Sequence, residues 1–283
     1  MSEIQIIRLG DVRYPRALTE LKDPPKQIYV KGDLSLLDRP MVSIVGTRDC
    51  TRYGMMVAKD IAAQCVAAGF VVVSGLAEGI DAAAHQGAKD GTIAVLGNGI
   101  DVYYPIVNKE LQDEIGLHGL LISEYPPNLH GGKTTFPQRN RIVAALGQAV
   151  IAVEADLRSG TLITVKMANA LNRAVYAVPG NINCYASQGT NALIANGQAK
   201  MITNIPELMT TLAGTIATKT VVIKKQITLE QQNILNILKT DELHFDDIVM
   251  ESGLAVPQLS TLLTNMEMIG LIEKLPGNYF VAK

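Results

Sequence analysis

Cysteine is scarce in this chain: Cys50, Cys65 and Cys184 are its three thiols among 283 residues. They are odd in number and none is spaced as C-x-x-C. This excludes a disulfide scaffold and a cysteine-based metal framework, and it points to a reducing cytoplasm. Long hydrophobic runs are missing as well. No stretch of about eighteen apolar residues occurs, so no transmembrane helix and no membrane partner is expected. The amino terminus, Met1 to Arg8, lacks the apolar core of a secretory signal. Neither sign of charge dominates, since 25 Lys and Arg stand against 27 Asp and Glu. The average charge therefore does not announce a nucleic-acid binder. Metal-ligand spacings, a Walker loop and a nucleophile elbow are absent from the sequence. The histidines His85, His118, His130 and His244 stand apart, and His85, inside an alanine-rich helix, reads as a packed residue. No catalytic residue, metal site or cofactor is assigned.

What is present is organised around Met41–Arg48. Val42, Ile44 and Val45 form a short, mostly β-branched run ending at Gly46, the pattern of a strand buried in a parallel sheet. Arg52–Ala68 follows with Val57, Ile61, Cys65 and Ala68 at helical spacing. Strands and helices then alternate: strands at Phe70–Ser74, Thr92–Leu96, Gly119–Glu124, Ala149–Glu154, Ala174–Val178 and near Lys200–Ile202; helices at Ile80–Lys89, near Asn108–Ile115, at Gln138–Leu146, Thr161–Asn172, near Asn191–Asn196 and at Pro206–Leu212. Alternation of this kind predicts an α/β fold with an extended Rossmann-like parallel sheet covered on both faces. Residues 1–40 read as a lead-in packing on the main domain, with a short strand at Ile28–Gly32. Residues 41–212 form the Rossmann-like domain.

Residues 213–225 read as a linker, and residues 226–283 change character. Thr228 caps a predicted helix over Leu229–Leu238. Phe245–Ser252 ends at Gly253, and Val256–Met268 carries Leu259, Leu262, Leu263 and Met266 at helical spacing. Leu271–Lys274 and Tyr279–Ala282 flank Pro276-Gly277-Asn278, a hairpin signal. Three helices followed by a hairpin predict a small winged-helix domain. It is acidic, with eight carboxylates against Lys239, Lys274 and Lys283. Its third helix carries Glu267 and no Lys or Arg. That composition predicts a protein-contact or regulatory module rather than a second DNA site.

Several loops fall at the carboxyl ends of the strands, where open α/β sheets bind ligands. Arg48 brings a permanent cation to the first. It has two readings: a tie to Asp49 or Glu78, or a free anion-binding group. Lys133, Arg139 and Arg141 surround Phe136 in the segment Lys133–Arg141. Cations neutralise phosphates, and an aromatic ring beside them stacks on an unpaired base. Ser159-Gly160-Thr161 opens a helix whose hydroxyl and N–H groups suit another phosphate. Phe136 read alone is equally a core residue, and the Ser-Gly-Thr segment alone is more often just a cap. Gathered on one rim, these residues point to single-stranded nucleic acid. Glu78, Asp81 and Glu154 are candidate acid/base groups. A nicotinamide site is excluded: Gly46 to Gly54 has the wrong glycine spacing, and the second strand ends at Ser74 instead of an acid.

The residues Val45–Arg48, Val73–His85, Ala94–Asp101, Tyr103-Tyr104-Pro105, Ser123–Tyr125, Phe136–Arg141, Glu154-Ala155, Arg158–Thr161 and Val178–Gly180 resemble the DNA-processing protein A family (DprA, also called Smf). The likeness runs from about Tyr14 to Leu212. The acidic tail resembles the winged-helix module often appended to that family. The resemblance implies a homodimer that binds single-stranded DNA. It also implies loading of the RecA recombinase past single-strand-binding protein during natural transformation. It carries DNA binding to Gly46, Thr47 and Arg48, to Lys133, Phe136, Arg139, Asn140 and Arg141, and to Ser159, Gly160 and Thr161. It places the dimer surface near Asn191–Met201, where Asn196–Lys200 is one residue longer than the family's turn. Two alternatives stand beside it, a nucleoside monophosphate hydrolase-like enzyme and a small-nucleotide sensor. The first lacks its Pro-Gly-Gly-x-Gly-Thr signature, because Pro179-Gly180 continues as Asn181-Ile182-Asn183.

Overall fold

A computed structural model of the chain describes residues 3–221, 228–238, 242–268 and 271–282. It divides into a large unit, Met1–Ala217, and a small one, Thr218–Lys283. The large unit opens with β1 (Gln5–Arg8), β2 (Gln27–Gly32) and β3 (Met41–Val45). Alternation then begins with α1 (Arg52–Ala67), β4 (Val71–Ser74), α2 (Ile80–Ala88), β5 (Thr92–Leu96), α3 (Lys109–His118) and β6 (Leu120–Ser123). It continues through α4 (Thr135–Leu146), β7 (Ala149–Ala152), α5 (Gly160–Ala170), β8 (Ala174–Ala177), α6 (Gln188–Ala195), β9 (Lys200–Met201) and α7 (Ile205–Val221).

These strands make one nine-stranded sheet in the order β1-β2-β6-β5-β4-β3-β7-β8-β9. It is parallel from β6 to β9 and antiparallel at β1 and β2. Successive side chains of a strand point to opposite faces, so each strand feeds two cores. Val71 and Val73 join the apolar cluster on one face, and Val42, Ile44 and Val72 join the cluster on the other. The chain winds outward from β3 through β4, β5 and β6, then returns to β3 and winds the other way through β7, β8 and β9. The reversal lies between β3 and β7, and such a switch point leaves a crevice beyond the strand ends.

The lead-in does more than pack beside the sheet. β2 pairs with β6 and β1 with β2, and Ile7, Leu18, Ile28 and Leu36 are buried in the first cluster. The helix expected at Pro206–Leu212 also runs longer, to Val221, over part of the expected linker. Nothing in Ala213–Val221 breaks a helix apart from Gly214, whose cost is about 1 kcal/mol. The rest of that linker, 222–225, lies outside the described residues.

The small unit comprises α8 (Leu229–Ile237), β10 (Leu243–His244), α9 (Phe245–Ser252), α10 (Val256–Met268), β11 (Ile272–Leu275) and β12 (Tyr279–Ala282). Thr228 begins α8 with a capping box, its hydroxyl accepting from the Gln231 N–H while the Gln231 side chain accepts from the Thr228 N–H. Gly253 ends α9 in the left-handed region at φ 67°, where glycine is unstrained. β11 and β12 form the expected hairpin, and β10 adds a short third strand beside β12. Ile234, Leu238, Ile248, Leu259, Leu263, Met266, Ile272 and Phe280 make its apolar core. The arrangement is a winged helix.

Candidate nucleic-acid interface

The turn after β3 runs over the switch point, and it is fixed at both ends. At the start, the Thr47 N–H donates to the Glu154 carbonyl at 2.7 Å and the Ile80 N–H donates to the Thr47 carbonyl at 3.2 Å. At the finish, Thr51 caps α1, its hydroxyl accepting from the Gly54 N–H at 3.0 Å. The Thr51 N–H and hydroxyl in turn donate to the two Glu154 carboxylate oxygens at 2.8 and 2.6 Å. Gly79, at φ 77°, lies against the Thr47 and Arg48 carbonyls, where a Cβ would collide with backbone. Between these fixed points Arg48 is exposed. Among the described residues it forms no ion pair, with Asp49 and Glu78 included. Its guanidinium lies 5.9 Å from the Phe136 ring centre, within cation–π range.

α4 begins at Thr135, three residues before the expected Gln138, and Phe136 and Pro137 sit in its first turn. Proline is tolerated there because first-turn N–H groups have no intrahelical acceptor. Phe136 is half-buried, with its ring edge on Gly97, where a Cβ would leave no room for it. It stacks on Tyr104 with centroids 4.9 Å apart and planes 28° apart. The cations beside it divide. Arg139 is only 5 % exposed; its Nη1 donates to the Gly75 and Val95 carbonyls, and its Nε donates to Asn140 Oδ1 at 3.2 Å. Arg141 donates from Nη2 to both Glu124 carboxylate oxygens, at 2.7 and 2.8 Å, with 16 % of its side chain exposed. Lys133 is exposed. The expected cluster of three cations around Phe136 therefore does not form. Residues 139 and 141 lie about 200° apart around a helix. Arg139 shares the inward face with Ile142, Val143 and Leu146, all buried.

Buried beside Arg139 is Asp81, 7 % exposed. Burial pushes its carboxyl up, and the Arg139 guanidinium pulls against that shift. Burial likewise lowers the Arg139 pKa, with Asp81 opposing. From the other side of the switch point, α5 points its amino end at the same space. Ser159 caps it, accepting from the Thr161 N–H at 3.2 Å and donating to Thr161 Oγ1 at 2.9 Å.

Together these elements enclose a cavity of about 370 Å³. Gly46, Thr47 and Arg48 line it from the turn after β3, Phe136, Arg139 and Asn140 from α4, and Ser159, Gly160 and Thr161 from the start of α5. Lys133 and Arg141 are not part of its wall. Asp49 and Asp156 are, so its charge is mixed. Asp156 turns back to accept from the Arg158 N–H at 2.6 Å.

Two of the three acid/base candidates have structural duties. Glu154 is 2 % exposed and holds the start of α1, while Asp81 faces Arg139. Glu78 is exposed. His85 is 1 % exposed, and burial drops its pKa to about 3. Thr92 gives its hydroxyl proton to the Val72 carbonyl at 3.0 Å, so it receives the Nδ1–H of His85 at 2.7 Å. Among the described residues no group of three or more His, Cys, Asp or Glu could hold a metal ion. No described helix is long and apolar enough to cross a membrane. Tyr104 was legible in the sequence only as part of Tyr103-Tyr104-Pro105, and its packing partner Phe136 lies 32 positions further on. In the small unit, α10 exposes Gln258, Thr261 and Asn265 and no cation.

The family model described as "DNA recombination-mediator protein A" matches residues 5–213. That described as "DprA winged helix domain" matches residues 224–278. Protein Smf of Synechocystis sp. is 34 % identical, over 96 % of this chain and 79 % of its own length. The DNA processing protein DprA of Streptococcus pneumoniae is 45 % identical, over 68 % of each chain. The X-ray structure of S. pneumoniae DprA superposes with a TM-score of 0.70 at 42 % identity, over 74 % of each chain. A Helicobacter pylori DprA structure, described in terms of its single-stranded DNA binding mode, gives 0.70 at 37 % identity. It covers 76 % of this chain and 99 % of that one.

Proposed function

Because the chain belongs to the DNA recombination-mediator protein A family, we propose that its strand-end cavity grips single-stranded DNA without regard to sequence. As a homodimer in the cytoplasm it loads the RecA recombinase onto incoming strands, past single-strand-binding protein, in natural transformation. The DNA reading rests chiefly on Arg48: an unpaired, exposed guanidinium beside an aromatic stack, over a cavity that a helix amino terminus also faces. Cation, N–H groups and ring are the three elements that hold a phosphate, a phosphate and a base. The homodimer, the recombinase and its displacement of single-strand-binding protein rest on the family resemblance. Lys133 supplies a second outer cation. Arg139 contributes by shaping the wall, and Arg141 by tying α4 to Glu124.

The family's description is that of a mediator, not of a catalyst. Of the three acids a hydrolase could use, Glu154 is committed to α1 and Asp81 is buried, accepting from the Ala77 N–H at 3.4 Å beside Arg139, which leaves Glu78 exposed. The winged helix acts as a protein-contact or regulatory module. Fluorescence anisotropy with single-stranded and duplex oligomers over a salt series tests the reading. Binding should favour the single strand and weaken steeply with salt. Arg48→Ala should cost about tenfold in affinity and lower the salt slope by about 0.7, the share of one phosphate contact. Equal affinity for duplex, or an unchanged slope in Arg48→Ala, would sink it.

A further inference from the structure

Phe136 is the ring that the sequence offers as the base platform; it borders the cavity, yet part of its surface is already taken by neighbours. Tyr104 stacks on it at 4.9 Å, the Arg48 guanidinium lies 5.9 Å from its centre, and Gly97 and Gly131 crowd its edge. Of the two stacked rings, Tyr104 is the outer one, 45 % exposed. Its hydroxyl makes no hydrogen bond among the described residues. Its neighbour Tyr103 is tied down instead, donating to Asp113 at 2.7 Å with Lys109 over its ring at 4.5 Å. Tyr104 and Arg48 line one small cleft. Beyond Tyr104 the chain exposes two further apolar side chains, Ile106 at 72 % and Val107 at 70 %.

We infer that Tyr104 is the base-stacking residue of this site, with Phe136 as the layer that supports it. The inference rests on the single-strand reading above and changes which ring touches the nucleobase. A base laid on the outer face of Tyr104 extends an existing two-ring stack, and its 5′- or 3′-phosphate reaches the Arg48 side of the same cleft. The contact needs only a π-face, so every base serves. It also needs a base free of its partner, which a duplex does not offer. Ile106 and Val107 give the sugar edge an apolar ledge.

The chain contains no tryptophan, which makes the test direct. Tyr104→Trp and Phe136→Trp each introduce a sole indole, read by fluorescence on titration with oligothymidine while anisotropy follows binding. Quenching should be strong for Tyr104→Trp and small for Phe136→Trp. In parallel, Tyr104→Ala should weaken oligothymidine binding about tenfold with its salt slope unchanged, and Tyr104→Phe should bind as the parent does. The Tyr104→Ala loss should shrink on an oligomer with abasic positions. Quenching confined to Phe136→Trp, or full affinity in Tyr104→Ala, would overturn the assignment of Tyr104 and leave the single-strand reading intact. Failure of the parent protein itself to bind oligothymidine would overturn both.

Discussion

The two units solve the same folding problem with different materials. The winged helix buries an all-apolar core, and among its described residues no polar side chain is buried. The large unit buries Asp81, His85, Arg139 and Glu154, each 7 % exposed or less. Three of these, Asp81, Arg139 and Glu154, lie at the strand ends around the cavity. Burying a charged group is costly unless it is paired and hydrogen-bonded. A fold carries that cost where positions must be held to a fraction of an ångström, and the winged helix shows no such place. Both units belong to architectures that meet nucleic acids elsewhere, but a fold does not assign a function and the chemistry of a site does. On that ground we propose the rim, and not the face of α10, as the DNA contact.

The contrast breaks most easily at Arg139. Arg139→Met leaves the Gly75 and Val95 carbonyls without their donor and Asp81 without its cation. Stability should fall by about 3 kcal/mol. Urea unfolding of the full chain should show the loss in the large unit's transition alone. A shift in the winged helix's transition would contradict two independent units.

His85 gives the next effect, read through pH. Its folded pKa, about 3, lies below its ordinary 6.5, so the unfolded chain takes a proton that the native chain refuses. Stability is unaffected above pH 6.5 and falls as pH drops from there towards 3. The loss should reach about 2 kcal/mol at pH 5. His85→Gln should flatten this slope for the large unit, and an equally steep profile in that variant would place the acid sensitivity elsewhere.

The winged helix, lacking buried charge, should respond to its caps. Thr228→Ala removes the hydroxyl of the capping box and should cost about 1 kcal/mol in the small unit's transition, leaving the large unit's midpoint in place. Smallest of all, Gln258→Ala with Asn265→Ala on α10 should leave oligothymidine affinity within twofold. Removal of 226–283 should leave duplex affinity unchanged, and its collapse would return α10 to the groove of a duplex.

The sheet was legible because its buried strands are short apolar runs, several of them β-branched, each separated from the next by a helical pattern. β2 was legible as the strand Ile28–Gly32, but β1 was not, since the edge strand Gln5–Arg8 buries only Ile7 and carries charge. The fate of the cations was only half legible. Arg139, Arg141 and Lys133 look alike in a segment written Lys133–Arg141. Helical phase separates Arg139 from Arg141, and the apolar residues at 142, 143 and 146 mark the inward face. That phase was already available in the expected helix Gln138–Leu146; what Pro137 hid was the first turn from Thr135, which carries Phe136. Tyr104 could not be paired with Phe136 from local sequence, because their meeting depends on β5 lying beside β6, which brings the segments after those two strands together.

Glu154 reaches beyond its own position. Its carbonyl and its carboxylate hold opposite ends of the span from Thr47 to Thr51, so the arm bearing Arg48 works like a bridge resting on one pier. Gly54 packs flush against that carboxylate, with no room for a Cβ. A single methyl added there, on a residue that meets neither solvent nor strand, would unseat the pier and swing the guanidinium out of range. If the rim binds DNA as proposed, a mutational loss of affinity can therefore originate one helical turn behind the binding surface.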